Sequence, residues 1–192
     1  NGIAECNTSG TAPFLTRLSA WAGDTTGNTL YTYSNTKVYK TTNYAGLWSP
    51  LGTSGLPTTS LFLRGVGAAP SNSRILGVVS NGGRVFLSRN GGVSWAAPVS
   101  PLPNNGLSMS SIAFYPVDPS TVYVTSVAPD QTKNHVWKST NFGTSWTTID
   151  SNGFPSGIPV NKIVVDPMVA NTLYADPPRG VYTSTKRGTT GT

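Results

Sequence analysis

One short phrase recurs four times in the sequence at nearly regular intervals. Each copy begins with serine or threonine, and the first three place an asparagine two residues later, then a glycine, and close on a tryptophan; the copies span residues 41–48, 88–95, 139–146 and 184–191. Their first residues are separated by 47, 51 and 45 positions. A period of this size predicts a repeat architecture in which every repeat forms one small sheet.

We call residues 41–48, 88–95 and 139–146 the first, second and third box turns. Each is predicted to be a hairpin turn that leads into a strand, because the asparagine oxygen can accept hydrogen bonds from turn amides and the glycine permits positive φ. The indole of the closing tryptophan is expected to fold back over its turn and cover the sheet edge. The predicted structural residues are Asn43, Trp48, Asn90, Trp95, Asn141 and Trp146.

The phrase resembles the Asp box of bacterial-neuraminidase-type (BNR) repeats, Ser-x-Asp-x-Gly-x-x-Trp, found in sialidases, xyloglucanase-type glycoside hydrolases and sortilin-type receptors. Two short β-like runs precede each copy, so the resemblance covers nearly the whole chain. It implies an all-β fold of β-propeller blades, each a four-stranded antiparallel sheet. The chain departs from the pattern at the acid, which is asparagine in three copies and Lys186 in the fourth, where Gly191 also replaces tryptophan. The missing charge argues against calcium or catalysis at the boxes.

A second motif supports the same register of repeats. A turn containing aspartate leads into Leu-Tyr or Val-Tyr at Tyr31, Tyr123 and Tyr174, where a strand would place successive side chains on opposite faces. The predicted repeats are roughly 13–57, 58–106, 107–157 and 158–192, which gives about three and a half to four blades because the fourth lacks its last strand. The chain is then a small ring closed by its segment 4–15, a fragment of a larger propeller, or a unit completed by neighbouring copies.

Composition fits an exported protein with many short strands. Only 10% of residues are charged. The sequence has no apolar run of about 18 residues, so no membrane span is predicted. The low charge and the sequon at Asn7 favour an extracellular or cell-surface location. Cys6 is the single cysteine, so it is predicted to be a free thiol or to pair with another chain.

The net charge of +6 is spread along the chain rather than clustered. The 13 lysines and arginines lie singly, and a nucleic-acid footprint requires clustered cations. Nucleic acid is therefore not an expected partner, although mild attraction to acidic polysaccharide fits the charge.

Seven acids are available for catalysis, and most have a simpler explanation. Asp24, Asp118 and Asp166 belong to repeat turns and Glu5 lies near the N-terminus; this leaves Asp130, Asp150 and Asp176. Glycoside hydrolysis usually needs two carboxylates across a cleft. The single histidine, His135, lies in a predicted strand and argues against histidine-based triads and multi-histidine metal sites within one chain. No catalytic residue, metal site or cofactor is predicted.

Two aromatic residues are the candidate binding residues. Tyr44 and Phe142 occupy the variable position of their box turns, which is expected to face solvent, where a ring suits contact with a glycan or a protein. The predicted function is an exported, non-catalytic β-propeller module that binds carbohydrate or an extracellular protein. The alternatives are a fragment of a xyloglucanase- or sialidase-type glycoside hydrolase and a self-associating extracellular scaffold.

Overall fold

A computed structural model describes residues 17–58, 60–97, 102, 106–150, 154, 156–169 and 171–185. Four sequence predictions lie outside these residues: closure by segment 4–15, the thiol of Cys6, the sequon at Asn7, and the fourth copy of the phrase from Lys186 onward.

The described chain is all-β, as predicted, and its strands form four antiparallel sheets in chain order. The first sheet contains β1 (Ser19–Ala20), β2 (Leu30–Tyr33), β3 (Val38–Thr41) and β4 (Ser49–Pro50). The second contains β5 (Leu63–Ala69), β6 (Asn72–Ser80) and β7 (Val85–Ser88). The third contains β8 (Met109–Phe114), β9 (Val122–Ser126), β10 (Val136–Ser139) and β11 (Thr147–Thr148), and the fourth contains β12 (Lys162–Val165), β13 (Leu173–Asp176) and β14 (Tyr182–Ser184).

Within every sheet, each strand pairs with the strand that follows it in sequence. Short turns make this possible; between β6 and β7, for example, a 3-10 turn spans Asn81–Gly83, and Gly82 takes a φ of 72° that few other residues tolerate. In the second sheet a single antiparallel bridge between Leu87 and Ala96 stands where the first and third sheets place a fourth strand. We call the four sheets blades one to four.

The first strands of the four blades lie around a shared cavity of about 260 Å³. Strands β5 and β8 pack closely there, because Gly67 has no side chain: a Cβ at this position would lie 2.7 Å from the carbonyl oxygen of Ile112. The blades are therefore arranged about one axis, with their first strands innermost.

Three hydrophobic clusters join successive blades face to face. The cluster between blades one and two includes Tyr31 and Trp95, that between two and three includes Trp146, and that between three and four includes Tyr123 and Ile163. Burying each such side chain contributes about 1.5–3 kcal/mol. Blades two and three thus use both of their faces, one against the preceding blade and the other against the following one.

Candidate functional site

The three box turns share one hydrogen-bond pattern. In the third, the Ser139 hydroxyl donates to Asn141 Oδ1 at 2.9 Å, and the same oxygen accepts from the backbone N–H of Ser145 at 2.9 Å. The backbone N–H of Gly143 donates to the Ser139 hydroxyl at 2.8 Å. The same asparagine contacts recur in the other two box turns, through Ser88, Asn90 and Ser94 in the second and Thr41, Asn43 and Leu47 in the first.

The uncharged asparagine side chain both donates and accepts hydrogen bonds in these turns. The amide nitrogens of Asn90 and Asn141 each donate to a serine hydroxyl at 2.9 Å, that of Ser94 and Ser145 respectively. The first box turn has Leu47 at the corresponding position. The asparagine side chains are therefore engaged in holding the turn.

Two of the three box tryptophans, Trp95 and Trp146, lie between blades, which differs from the predicted packing over their own turns. Trp95 is buried against blade one, and its indole N–H donates to the carbonyl oxygen of Gly52 at 2.8 Å. Trp146 is buried in the cluster between blades two and three, whereas Trp48, on the first blade, is half-buried. A neighbouring blade offers a larger apolar surface than a tight turn does, which explains this packing.

A groove of about 400 Å³ lies where the second box turn meets the third. Phe142 forms one side of it, with the guanidinium carbon of Arg89 4.1 Å from the centre of its ring. Phe142 is half-buried rather than fully exposed, because it packs against the cluster between blades two and three. The other described residues that line the groove are Leu87, Asn90, Ser94, Trp95, Ala96, Ala97 and Thr144.

Tyr44 does not line this groove. It lies on the first box turn with 68% of its surface exposed, and its hydroxyl donates to the carbonyl oxygen of Thr26 at 2.9 Å. Both Tyr44 and Phe142 have a φ of 55°, in the left-handed region, as expected of equivalent turn positions. The two candidate binding residues therefore lie in separate places, and Phe142 is the one that lines this groove.

Four acids hold backbone turns. Asp24, Asp118, Asp130 and Asp166 each accept a hydrogen bond from the backbone N–H two residues ahead, at 2.8–3.0 Å. The Thr26 hydroxyl and the Thr132 hydroxyl lower the pKa of Asp24 and Asp130, and the backbone N–H of Val169 lowers that of Asp166. A low pKa favours the ionised form and suits a turn rather than a general acid.

Asp150 is buried and engaged with the backbone. Its two carboxylate oxygens accept hydrogen bonds from the backbone N–H groups of His135, at 2.8 Å, and Val136, at 2.7 Å. Burial raises the pKa of Asp150. His135 is fully buried, and its Nε2 lies 2.8 Å from the carbonyl oxygen of Ala128, which holds the long loop between β9 and β10. Asp150 thus holds the start of β10, and His135 holds the loop that precedes it.

Asp176 is the remaining described acid. It is exposed on β13, opposite Lys162 of β12. Among the described residues no three of the metal-binding types His, Cys, Asp and Glu come together, and no described helix is long and apolar enough to cross a membrane.

Arg89 is the groove residue that the sequence analysis missed. It occupies the second position of its box turn, where the first and third box turns have Thr42 and Thr140. A charged residue at one copy of an otherwise uncharged repeat position was the available signal.

Comparisons with solved structures identify the fold. A GH74 enzyme from Niastella koreensis superposes with a TM-score of 0.69 at 20% identity, over 90% of this chain and 29% of the enzyme. An ancestral GH74 enzyme gives 0.67 at 25% identity, over 92% and 23%, and the GH74 xyloglucanase from Xanthomonas campestris gives 0.64 at 15% identity, over 90% and 29%. No protein-family model matches the chain, and no curated protein matches it in sequence.

These structures are β-propellers, and the chain spans less than a third of their length. The four blades therefore correspond in fold to part of a GH74 propeller.

Proposed function

We propose that the chain is part of a larger extracellular β-propeller that binds carbohydrate, without catalysis by the acids of the described blades. The observation that carries the proposal is the groove between the second and third box turns. It combines the aromatic ring of Phe142 with the small apolar side chains of Ala96 and Ala97 and the polar edge of Ser94. Sugar-binding sites combine apolar ring contacts with a few placed polar groups in this way.

The state of the acids supports the non-catalytic part of the proposal. Retaining and inverting glycosidases need one carboxyl group that is held protonated and a second that is free to act as base or nucleophile. Asp150 has the raised pKa of the first kind, but both of its oxygens already accept backbone hydrogen bonds. The turn acids have a lowered pKa or carboxylate oxygens that are engaged in turn hydrogen bonds, which suits neither role.

Binding of xyloglucan oligosaccharides to the purified chain tests the proposal, because one structural neighbour is a xyloglucanase. We expect measurable binding by calorimetry, and a loss of about two- to tenfold in affinity for Phe142→Ala, since an aromatic contact contributes about 0.5–1.5 kcal/mol. Val93→Ala is the matched control, because Val93 is exposed on the second box turn and does not line the groove. Equal binding by the wild type and Phe142→Ala would refute this site, and Tyr44→Ala would then test the other candidate.

The alternative function is that of a glycoside hydrolase fragment, which the GH74 neighbours favour. In that case the catalytic acids lie mostly on other parts of the protein. We expect the chain alone to release no reducing sugar from xyloglucan. Hydrolysis that is abolished by Asp130→Asn, Asp150→Asn or Asp176→Asn, in a variant that stays folded, would overturn the non-catalytic proposal.

A further inference from the structure

Arg89 is held in place by an aromatic ring on the adjacent blade. Its guanidinium carbon lies 4.1 Å from the centre of the Phe142 ring, although the arginine itself is exposed. A guanidinium over a ring face at this distance is attracted by the ring, and this contact does not use its N–H donors. The contact with Phe142 therefore orders the exposed Arg89 side chain at the surface of the groove.

The N–H donors of Arg89 are not used within the described part of the chain. Beyond the ring contact, no described residue accepts a hydrogen bond from the guanidinium. The Ser94 hydroxyl accepts from Asn90 and keeps its own hydrogen for a ligand. The other polar side chains serve the turns: Asn90 Oδ1 accepts from the backbone N–H of Ser94, and the Thr144 hydroxyl donates to the carbonyl oxygen of Asn141.

No carboxylate is among the described residues that line the groove. The acid beside the third box turn is Asp118: the backbone N–H of Phe142 donates to the Ser120 carbonyl, and Asp118 accepts from the Ser120 and Thr121 hydroxyls. Its oxygens are thus engaged within their own turn. The charge of Arg89 is left available to an anion.

The Arg89–Phe142 pair is not a structural element that the repeat requires. The equivalents of Arg89 are Thr42 and Thr140, and the second box turn has Gly91 where Phe142 stands in the third. The junction of the first and second box turns therefore has neither member of the pair, and it folds without one. The pair is therefore specific to the junction of the second and third box turns and serves no role common to the repeats.

We propose that this groove selects sugars that carry a carboxylate, that is, uronic-acid-bearing glycans, with Arg89 as the residue that binds the carboxylate. The planar fork of arginine matches a carboxylate with two parallel hydrogen bonds, and such charge-assisted bonds are about twice as strong as neutral ones. The ring of the sugar then lies along Ala96 and Ala97 toward Trp95. The inference rests on the proposed function, since it specifies which glycans the groove prefers.

Trigalacturonate and its fully methyl-esterified form test the inference, because they share one skeleton and differ in charge. We expect the acid to bind the wild-type chain about tenfold more tightly than the ester at low salt. Raising the sodium chloride concentration should weaken binding of the acid and leave binding of the ester nearly constant.

Arg89→Gln should abolish the preference for the acid and retain binding of the ester. Arg84→Gln is the matched control, since Arg84 is an exposed cation just before β7 that does not line the groove. An equal loss in both variants would mean general attraction by the positive chain and would overturn the site. Equal affinity of the wild type for acid and ester would overturn the inference but not the proposed function, whereas the binding of no glycan at all would refute both.

Discussion

Blades three and four carry the same strand motif, but their second faces have different surroundings. Val122-Tyr123 opens β9 and Leu173-Tyr174 opens β13 at equivalent places in the two sheets. Tyr123 is fully buried, whereas Tyr174 is 36% exposed and its hydroxyl donates to Asp166 at 3.1 Å. The tyrosine of this motif is therefore buried by the neighbouring blade and not by its own sheet.

The residues that cover Tyr123 belong to the first face of blade four. Ile163, Val165, Leu173 and Ala175 form one cluster with Tyr123, and alternate residues of the same two strands point the other way. On that second face Val164 is 43% exposed beside Tyr174. The second face of blade four carries Lys162 and Asp176 beside Val164 and Tyr174. Its tyrosine would be covered only where another blade follows, as the proposed larger propeller would provide.

The largest expected effect comes from removing the two tyrosines in turn. Tyr123→Ala should lower the free energy of unfolding by about 3–5 kcal/mol, the range for truncating a buried aromatic side chain. Tyr174→Ala should cost about 1 kcal/mol or less, as partly exposed sites usually do. Chemical denaturation of both variants measures the difference.

Comparable losses for the two tyrosines would break the comparison, because they would mean that something covers Tyr174 in solution. Light scattering on the wild type and on Tyr174→Ala separates the explanations. A mass above that of one chain that falls in the variant would identify self-association through the second face of blade four.

A middle-sized effect is expected at the hydroxyl that begins the third box turn. Ser139 is buried, and its hydroxyl accepts a hydrogen bond from the backbone N–H of Gly143. Ser139→Ala therefore leaves the buried N–H of Gly143 without this acceptor. The expected loss of unfolding free energy is about 1–3 kcal/mol. Thr183→Ala in blade four is the control: its side chain is exposed on β14, and we expect less than about 1 kcal/mol. A loss at Ser139 no greater than that at Thr183 would contradict the role assigned to the box hydroxyl.

Much of the fold was predictable because strands, turns and repeats leave local signals. The strands predicted to begin around Tyr31, Tyr123 and Tyr174 are β2, β9 and β13, since alternation of side chains is a property of the strand itself. The placement of the tryptophans was not predictable in the same way. Trp95 bonds to Gly52, 43 residues earlier, and a contact of this separation depends on how two blades meet.

The candidate groove was predictable only in part. The turn position of Phe142 suggested an available ring, but the structure half-buries it and places Arg89 over it. These residues are 53 positions apart in sequence and belong to different blades. No local pattern reports such a pair, because it arises from the angle between neighbouring sheets.

The smallest effect should appear as a pH dependence at Asp150 of blade three. Burial raises the pKa of Asp150 above its ordinary value, so the folded protein holds a proton there at pH values where the unfolded chain has released it. The contribution of Asp150 to stability should therefore decrease as the pH rises from about 4 through the raised pKa. The exposed Asp176 of blade four is the matched position.

Unfolding free energies from pH 3 to pH 8 for the wild type, Asp150→Asn and Asp176→Asn measure this dependence. Asp150→Asn cannot titrate, so the stability of the wild type relative to this variant should fall as the pH rises. In this variant one amide N–H also faces the backbone N–H of His135 or Val136. The hydrogen bond lost there lowers the free energy of unfolding by the same amount at every pH. Asp176→Asn should keep the wild-type profile within about 0.5 kcal/mol. If the stability difference between the wild type and Asp150→Asn is instead flat or grows with pH, the two backbone N–H groups stabilise the carboxylate more than burial penalises it.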